Sequence, residues 1–299
     1  MPIARSFTVA AAAYPLSPLA DWAAYEAKLT RWTADAAGQG ADLLVFPEYG
    51  AAEIATLGGE SWGEDHFGAI DAITARLGRA DDIIAQIAAT HGVWIVGGSA
   101  PVRDGGRILN RVRLIGPGGE RGVQDKLMPT RWEREALGMV GGDVVSVFDT
   151  PLGCFGISTC YDAEFPLIAR AMVEAGAEVI LAPSCTETTA GYWRVRVGAM
   201  ARALEGQCWT VHAPLIGDND WAEMVEENTG AAGVYGPPDL GFPETGVAAL
   251  GEMDAPGWTI CECDLEAVRR VRRDGGVLNW AHWPEQDRLA AGATVVGLN

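Results

Sequence analysis

The sequence predicts an α/β layered fold, and three observations lead there. Short unbroken apolar runs, such as residues 41–46 and 93–98, stop at Pro or Gly and read as strands covered on both faces. Longer stretches with apolar residues three and four apart alternate with them and read as helices. A helix–turn–strand–turn unit also occurs twice: residues 40–48 and 176–184 each show Gly, an acid two residues further on, four apolar positions, Pro and a polar residue. Strands that alternate with helices pack as layers.

The elements follow in order. Residues 7–13 form a small apolar strand. Leu19, Trp22, Tyr25, Leu29, Trp32 and Ala36 make one helical stripe, ended by Gly38 and Gly40. The strand at 41–46 stops at Pro47, which puts Glu48 at its carboxyl end. Residues 53–68 read as a Gly-rich polar loop, 70–77 and 80–90 as two helices, and 93–98 as a buried strand. Residues 109–115 alternate apolar residues with arginines, which predicts a strand with one wet face. A turn at 117–119 leads into a return at 123–129.

Residues 153–160 begin as a buried strand, reach Cys160, and break into a turn before a helix over 167–175. Trp193, Val197, Met200, Ala201 and Leu204 share one face of a helix over 193–206. A strand at 209–213 precedes a loop region at 216–245, expected to shape a pocket rim. Residues 247–250 and 258–263 read as a closing hairpin, and Asp264 as the N-cap of a last short helix. The tail from Val277, with Trp280 and Trp283, is apolar enough to pack on the body or on a second subunit. No composition break appears, so a single domain over 1–299 is expected.

Bulk chemistry narrows the function. The 299 residues are 48% hydrophobic, enough for a sizeable core. A formal charge of −18, from 22 basic against 40 acidic residues, argues against nucleic acid and anionic membranes as partners. No run is long enough to span a bilayer and the start leads straight into a strand pattern, so a cytoplasmic location is expected. Six cysteines (154, 160, 185, 208, 261, 263) sit mostly in apolar runs, which suggests reduced thiols. Cys261 and Cys263 share a strand face, but no second Cys pair or His pair has metal spacing. Neither a metal nor a cofactor is expected.

Three reactive side chains fall at strand ends or the turns after them: Glu48, Lys126 and Cys160. A thiol at a strand-to-helix turn lies near free backbone N–H groups and a helix dipole, both of which favour thiolate. The alternative is a small buried hydrophobe, the commonest use of a free cysteine. The four histidines (66, 91, 212, 282) lack a strand-end setting, so a carboxylate base is preferred to a Cys-His pair.

Phe46-Pro47-Glu48-Tyr49, Asp125-Lys126-Leu127-Met128-Pro129 and Ser158-Thr159-Cys160-Tyr161-Asp162-Ala163-Glu164-Phe165-Pro166 resemble the three signature segments of the nitrilase superfamily of carbon–nitrogen hydrolases. Order and separation fit, and the resemblance extends through residues 201–205 to Asp264. It implies a four-layer α-β-β-α sandwich, pairing of subunits through helices, and a Glu-Lys-Cys triad. Cys160 would then be the nucleophile and Glu48 the proton carrier. Lys126 and the backbone N–H of Tyr161 would stabilise the oxyanion. The family's second glutamate is matched by Glu133, with Glu135 close behind.

Two departures bear on the substrate. Met128 stands where many members carry histidine, and residues 183–188 lack the usual tryptophan or asparagine. Cys185 is expected to line or underlie the pocket, with Tyr192 and Trp193 at its border. The resemblance implies hydrolysis of a small amide or N-carbamoyl compound, with nitrile hydrolysis as the alternative on the same scaffold. A binding or assembly protein would not need such a buried charge cluster. A Cys-His enzyme would require His212 near Cys160.

Overall fold

The structure is a computed structural model, and it describes residues 6–298. In chain order the elements are β1 (Ser6–Pro15), α1 (Trp22–Gly38), β2 (Leu43–Val45), α2 (His66–His91), β3 (Trp94–Asp104), β4 (Arg107–Ile115), β5 (Arg121–Asp125) and α3 (Arg131–Leu137). There follow β6 (Val147–Thr150), β7 (Gly153–Ile157), α4 (Pro166–Glu174), β8 (Val179–Ser184), α5 (Thr189–Gly206) and β9 (Trp209–Ile216). The chain continues through β10 (Gly233–Tyr235), β11 (Val247–Leu250), β12 (Gly257–Asp264), α6 (Leu265–Asp274) and α7 (Asn279–His282).

The strands form two halves. One has the order β5-β4-β3-β2-β1-β12, the other β6-β7-β8-β9-β10-β11, and a short parallel contact of β1 with β9 joins them. Side-chain alternation along each strand then builds the layers. On β1 and β2, Val9, Ala11, Leu43 and Val45 face an inner core shared with Phe155, Ile157, Leu181 and Val211 of the second half. Ala10, Ala12 and Leu44 face outward onto Leu29 of α1 and Ile73 and Ile84 of α2. On the far side, Met172 and Val173 of α4 cover Ile180, and Ala199 and Ala203 of α5 cover Tyr235. The result is helix, sheet, sheet, helix, as expected.

Strand direction creates the site. β1, β2 and β3 are parallel, and so are β7, β8 and β9. Because β4 is antiparallel to both β3 and β5, β5 runs with β2. Glu48, Lys126, Cys160 and Cys185 therefore leave the sheets at one edge. The two copies of the repeated unit are β2 and β8, and their polar termini meet there.

Several expectations are corrected. Residues 66–91 are one helix, because burial of Ile70, Ile73, Leu77, Ile83 and Ile87 outweighs the cost of Gly78, about 1 kcal/mol. Residues 52–56 are a buried 3-10 turn rather than polar loop, with Glu53 held by Lys28 at 2.6 Å and Tyr14 at 2.7 Å. The wet face expected on β4 is covered at Arg113, which is buried and pairs with Asp81 at 2.8 Å, while Arg111 stays partly exposed. The closing hairpin does not form: β11 pairs with β10 and β12 with β1, one in each half. The apolar stripe of α5 is its outer face, with Trp193, Val197 and Leu204 exposed, while Tyr192, Val195, Ala199 and Ala203 point inward. In the tail, Trp283 packs against the α4 core, whereas Val295, Val296 and Leu298 are exposed.

The turn that carries Glu48 is pressed against β3. A Cβ on Gly98 would lie 2.5 Å from Gly50 Cα, with only backbone to yield. Gly98→Ala should cost about 1–3 kcal/mol, read as a lower urea midpoint, and should displace Glu48. An unchanged midpoint would show that the turn has slack.

Candidate active site

Each group at the shared edge is held by its own element. Glu48 follows β2, and the next residue, Tyr49, adopts a φ of +56°; its N–H donates to Ser99 Oγ at 2.8 Å. Lys126 follows β5, and its N–H donates to the Asn110 carbonyl at 2.8 Å. Glu133 sits in the first turn of α3, where it closes a capping box with Thr130. Cys160 opens a 3-10 turn (Cys160–Glu164) with a φ of +50°. A non-glycine residue there is strained by about 1–3 kcal/mol, so surrounding contacts must impose it.

The side chains converge. Lys126 Nζ donates to Glu48 Oε1 at 2.8 Å and to Glu133 Oε2 at 2.7 Å. Asn110 Nδ2 donates to Glu48 Oε1 at 2.9 Å and to Glu133 Oε1 at 3.3 Å, and Tyr49 Oη donates to Glu133 Oε1 at 2.8 Å. The other oxygen of Glu48 accepts the Cys185 N–H at 3.0 Å. The Cys160 thiol donates to the Cys185 carbonyl at 3.5 Å. Glu48, Lys126, Glu133, Cys160, Tyr161 and Cys185 all line one cavity of about 220 Å³.

Electrostatics separates the two glutamates. Burial pushes Glu48 up to about 7; Lys126 opposes this and Glu133 adds to it. Burial also works against Glu133, but Lys126, the Thr130 N–H and Tyr49 hold it below the usual carboxylate range. Burial disfavours the Lys126 ammonium, yet the two carboxylates outweigh it and keep it charged. The Cys160 thiol is pushed well above its ordinary value by burial and then by the Glu48 charge. Desolvation thus outweighs the thiolate-favouring setting expected at this turn, and the thiol is neutral until a base takes its proton, the role expected of Glu48. Glu48, held near neutrality, is a carboxylate able to accept a proton and return it.

Asp162 ties two of the segments together. Its carboxylate accepts the N–H groups of Leu127 at 3.2 Å, Met128 at 2.7 Å and Thr159 at 3.2 Å. It thus fastens the chain after Lys126 to the turn of Cys160.

The remaining expected residues fall differently. Glu135 lies outside the cavity, its exposed carboxylate paired with Arg131 at 2.8 Å, because two residues along α3 turn it to the opposite side from Glu133. Tyr192 is buried beneath the wall and stacks on His212 rather than lining the cavity, while Trp193 is exposed. His212 hydrogen-bonds Ser184 at 2.7 Å, and burial lowers it to about 3, so it stays neutral and is no partner of Cys160. Asn110 was not expected: one amide among alternating apolar residues and arginines carries no signal in the sequence. Trp132, Thr186 and Met224 were equally silent as cavity residues.

This architecture and edge define the class: the chain belongs to the carbon–nitrogen hydrolase family of the nitrilase superfamily, whose sequence pattern matches residues 8–273. Among relatives, it is 34% identical over 236 residues to the "Probable hydrolase YhcX" of Bacillus subtilis, covering 79% of this chain and 45% of that protein. It is 26% identical over 207 residues to the "Omega-amidase NIT2-B" of Xenopus laevis, covering 66% of this chain and 74% of that one. The chain spans about half the length of several curated relatives that it matches. The crystal structure of an amidase from Nesterenkonia sp. superposes with a TM-score of 0.65 at 22% identity, covering 90% and 95% of the two chains.

Asp162→Ala would strand three backbone N–H groups, two of them bearing on the Lys126 segment. The expected loss is about 2–4 kcal/mol of stability, measured by urea unfolding. A loss below about 0.5 kcal/mol, within the range of an ordinary surface change, would show that the staple is dispensable.

Proposed function

We propose that the protein is an amidase-type hydrolase that cleaves a non-peptide C–N bond of a small amide or N-carbamoyl compound. The reading is carried by one observation: a carboxylate held near pH 7 bridges a buried ammonium and the backbone beside a buried thiol, in a cavity. Cys160 Sγ attacks the carbonyl carbon while its proton passes to Glu48. The oxygen gains negative charge, stabilised by Lys126 and the Tyr161 N–H. The C–N bond then breaks as Glu48 gives its proton to the leaving nitrogen, leaving a thioester. Water, deprotonated by Glu48, attacks the thioester; the acid leaves and the proton returns to the thiol. Glu133, held charged, orients Lys126 and limits the positions open to substrate.

A nitrile entering the same cavity would give a thioimidate instead, so amides and nitriles must be compared directly. The wild-type protein should release ammonia from an amide panel and form an acyl adduct on Cys160, seen by intact-protein mass spectrometry. Cys160→Ala should lose at least about a thousandfold in kcat while keeping its circular-dichroism spectrum. Because Glu48 must be ionised to accept the thiol proton, kcat/KM should rise with pH through an acid limb at about 7. Ammonia release by Cys160→Ala at the wild-type rate would end the proposal.

We further propose a homodimer through the outer face of α4 and α5, supported by the exposed apolar side chains of Leu167, Trp193, Val197 and Leu204. Trp193→Glu with Val197→Glu should shift the sedimentation coefficient to that of a monomer; a wild-type monomer would refute this. A reducing, cytoplasmic setting and a single folded domain complete the proposal. The six free cysteines support the first. The return of β12 to pair with β1 supports the second.

A further inference from the structure

The backbone of Cys185 touches both partners of the proton transfer proposed above. Its N–H donates to Glu48 Oε2 at 3.0 Å, and its carbonyl accepts the Cys160 thiol at 3.5 Å. Where this short stretch of chain lies therefore sets where the carboxylate stands relative to the sulfur.

The sheet alone does not fix it. Pairing of β8 with β7 stops at Leu181, so among the described residues Ala182, Pro183 and Ser184 have a strand neighbour only in β9. Pro183 also has no N–H to offer. Beyond the strand, the loop before β10 holds the chain. Cys185 Sγ donates to Asn228 Oδ1 at 3.1 Å, Thr186 Oγ1 to the Thr229 carbonyl at 2.9 Å, and the Thr229 N–H to the Thr186 carbonyl at 2.9 Å. On the strand side the hold is a side-chain bond, 2.7 Å between Ser184 Oγ and His212 Nε2. His212 stands opposite Ala182 in register, and Ser184 lies two residues further on the same face, so the bond is a diagonal cross-strand contact.

An imidazole costs more than an alkyl group at this place. His212 is fully buried, and among the described residues its only hydrogen bond is the one to Ser184. Tyr192 of α5 stacks on the ring, with centroids 5.7 Å apart and planes inclined by 17°, which fixes its orientation. Burial, with Arg196 of α5 acting in the same direction, lowers His212 to about 3, so the ring is neutral throughout the range in which Glu48 titrates. A valine or leucine would pack here without desolvating two ring nitrogens. What the imidazole supplies, and an alkyl group cannot, is the tie to Ser184.

We propose that His212 is a positioning residue: through Ser184 it fixes the backbone of Cys185, and with it the Glu48 carboxylate against the Cys160 thiol. This rests on the amidase reading above and extends it. The ring itself moves no proton. Losing the tie lets the Cys185 N–H drift from Glu48 Oε2. That N–H stabilises the charged carboxylate, so a weakened bond raises the pH at which Glu48 ionises.

The probe is iodoacetamide, whose reaction with Cys160 needs no turnover. Its rate is followed over about pH 5 to 9 by intact-protein mass spectrometry, with peptide mapping to separate Cys160 from Cys185. The wild-type rate should rise through a limb at about 7. Ser184→Ala, which removes a single oxygen, should move that limb up by about half a pH unit or more and slow neutral-pH alkylation by about threefold or more. His212→Ala should do the same, and the double variant should be no worse than either, because both delete one bond. His212→Gln, whose amide reaches the place of Nε2, should bring the limb back. For an amide that the wild type turns over, Ser184→Ala should lower kcat with KM little changed.

A lower urea midpoint with an unmoved limb in Ser184→Ala would show a purely structural bond and overturn the inference, as would additive losses in the double variant; the amidase reading would stand. No ammonia and no acyl adduct from the amide panel, with the limb shifted as expected, would overturn the amidase reading alone. A wild-type alkylation rate without an acid limb would overturn both.

Discussion

Everything at the sheet edge depends on one buried ammonium shared by two carboxylates. Lys126 and Glu48 are each 1% exposed, so both charges have given up nearly all their water. The pair is tolerated because the carboxylates gather further donors: Asn110 and the Cys185 N–H on Glu48, Tyr49 and the Thr130 N–H on Glu133. Removing one member of such a cluster typically costs about 3–5 kcal/mol, since it leaves an unpaired charge in the interior. A cluster of this kind is a poor source of stability. It makes sense as a device that keeps an ammonium charged and a carboxylate near neutrality beside a thiol.

The same interaction divides labour between two chemically identical side chains. Glu48 and Glu133 share one lysine, yet Glu133 also accepts a backbone N–H at the start of α3 and a tyrosine hydroxyl. Those donors help hold it ionised. Glu48, whose burial is only partly offset by Lys126, Asn110 and the Cys185 N–H and to which the Glu133 charge adds, is left near 7. Position on a helix N-terminus against position on a strand end thus decides which carboxylate can move a proton.

Rigid scaffolding supplies the geometry. Of the four described non-glycine residues with positive φ, Tyr49 and Cys160 are both in the site. Tyr49 is pinned from outside its turn by Ser99 and Glu133, and the Cys160 turn is tied through its own Asp162 to the Leu127 and Met128 N–H groups. The Gly50–Gly98 contact lets the two strand exits approach closely enough for this. Strain and close backbone approach are therefore concentrated where three distant chain segments must meet.

Residues 43–45, 153–157 and 179–184 were legible as strands because local apolar runs carry that information without reference to partners. Glu48, Lys126 and Cys160 were legible because turn residues mark strand ends, and the signature segments are contiguous. What the tertiary structure alone decided was everything set by partners: β11 and β12 go to different halves, and α5 turns Tyr192 rather than Trp193 inward. Asn110 joins the two carboxylates, and Glu133 rather than Glu135 reaches Lys126. Periodicity tells which residues share a face, but not which face meets a neighbour. Desolvation, which leaves the thiol neutral and Glu48 near 7, exists only once the layers have closed over them.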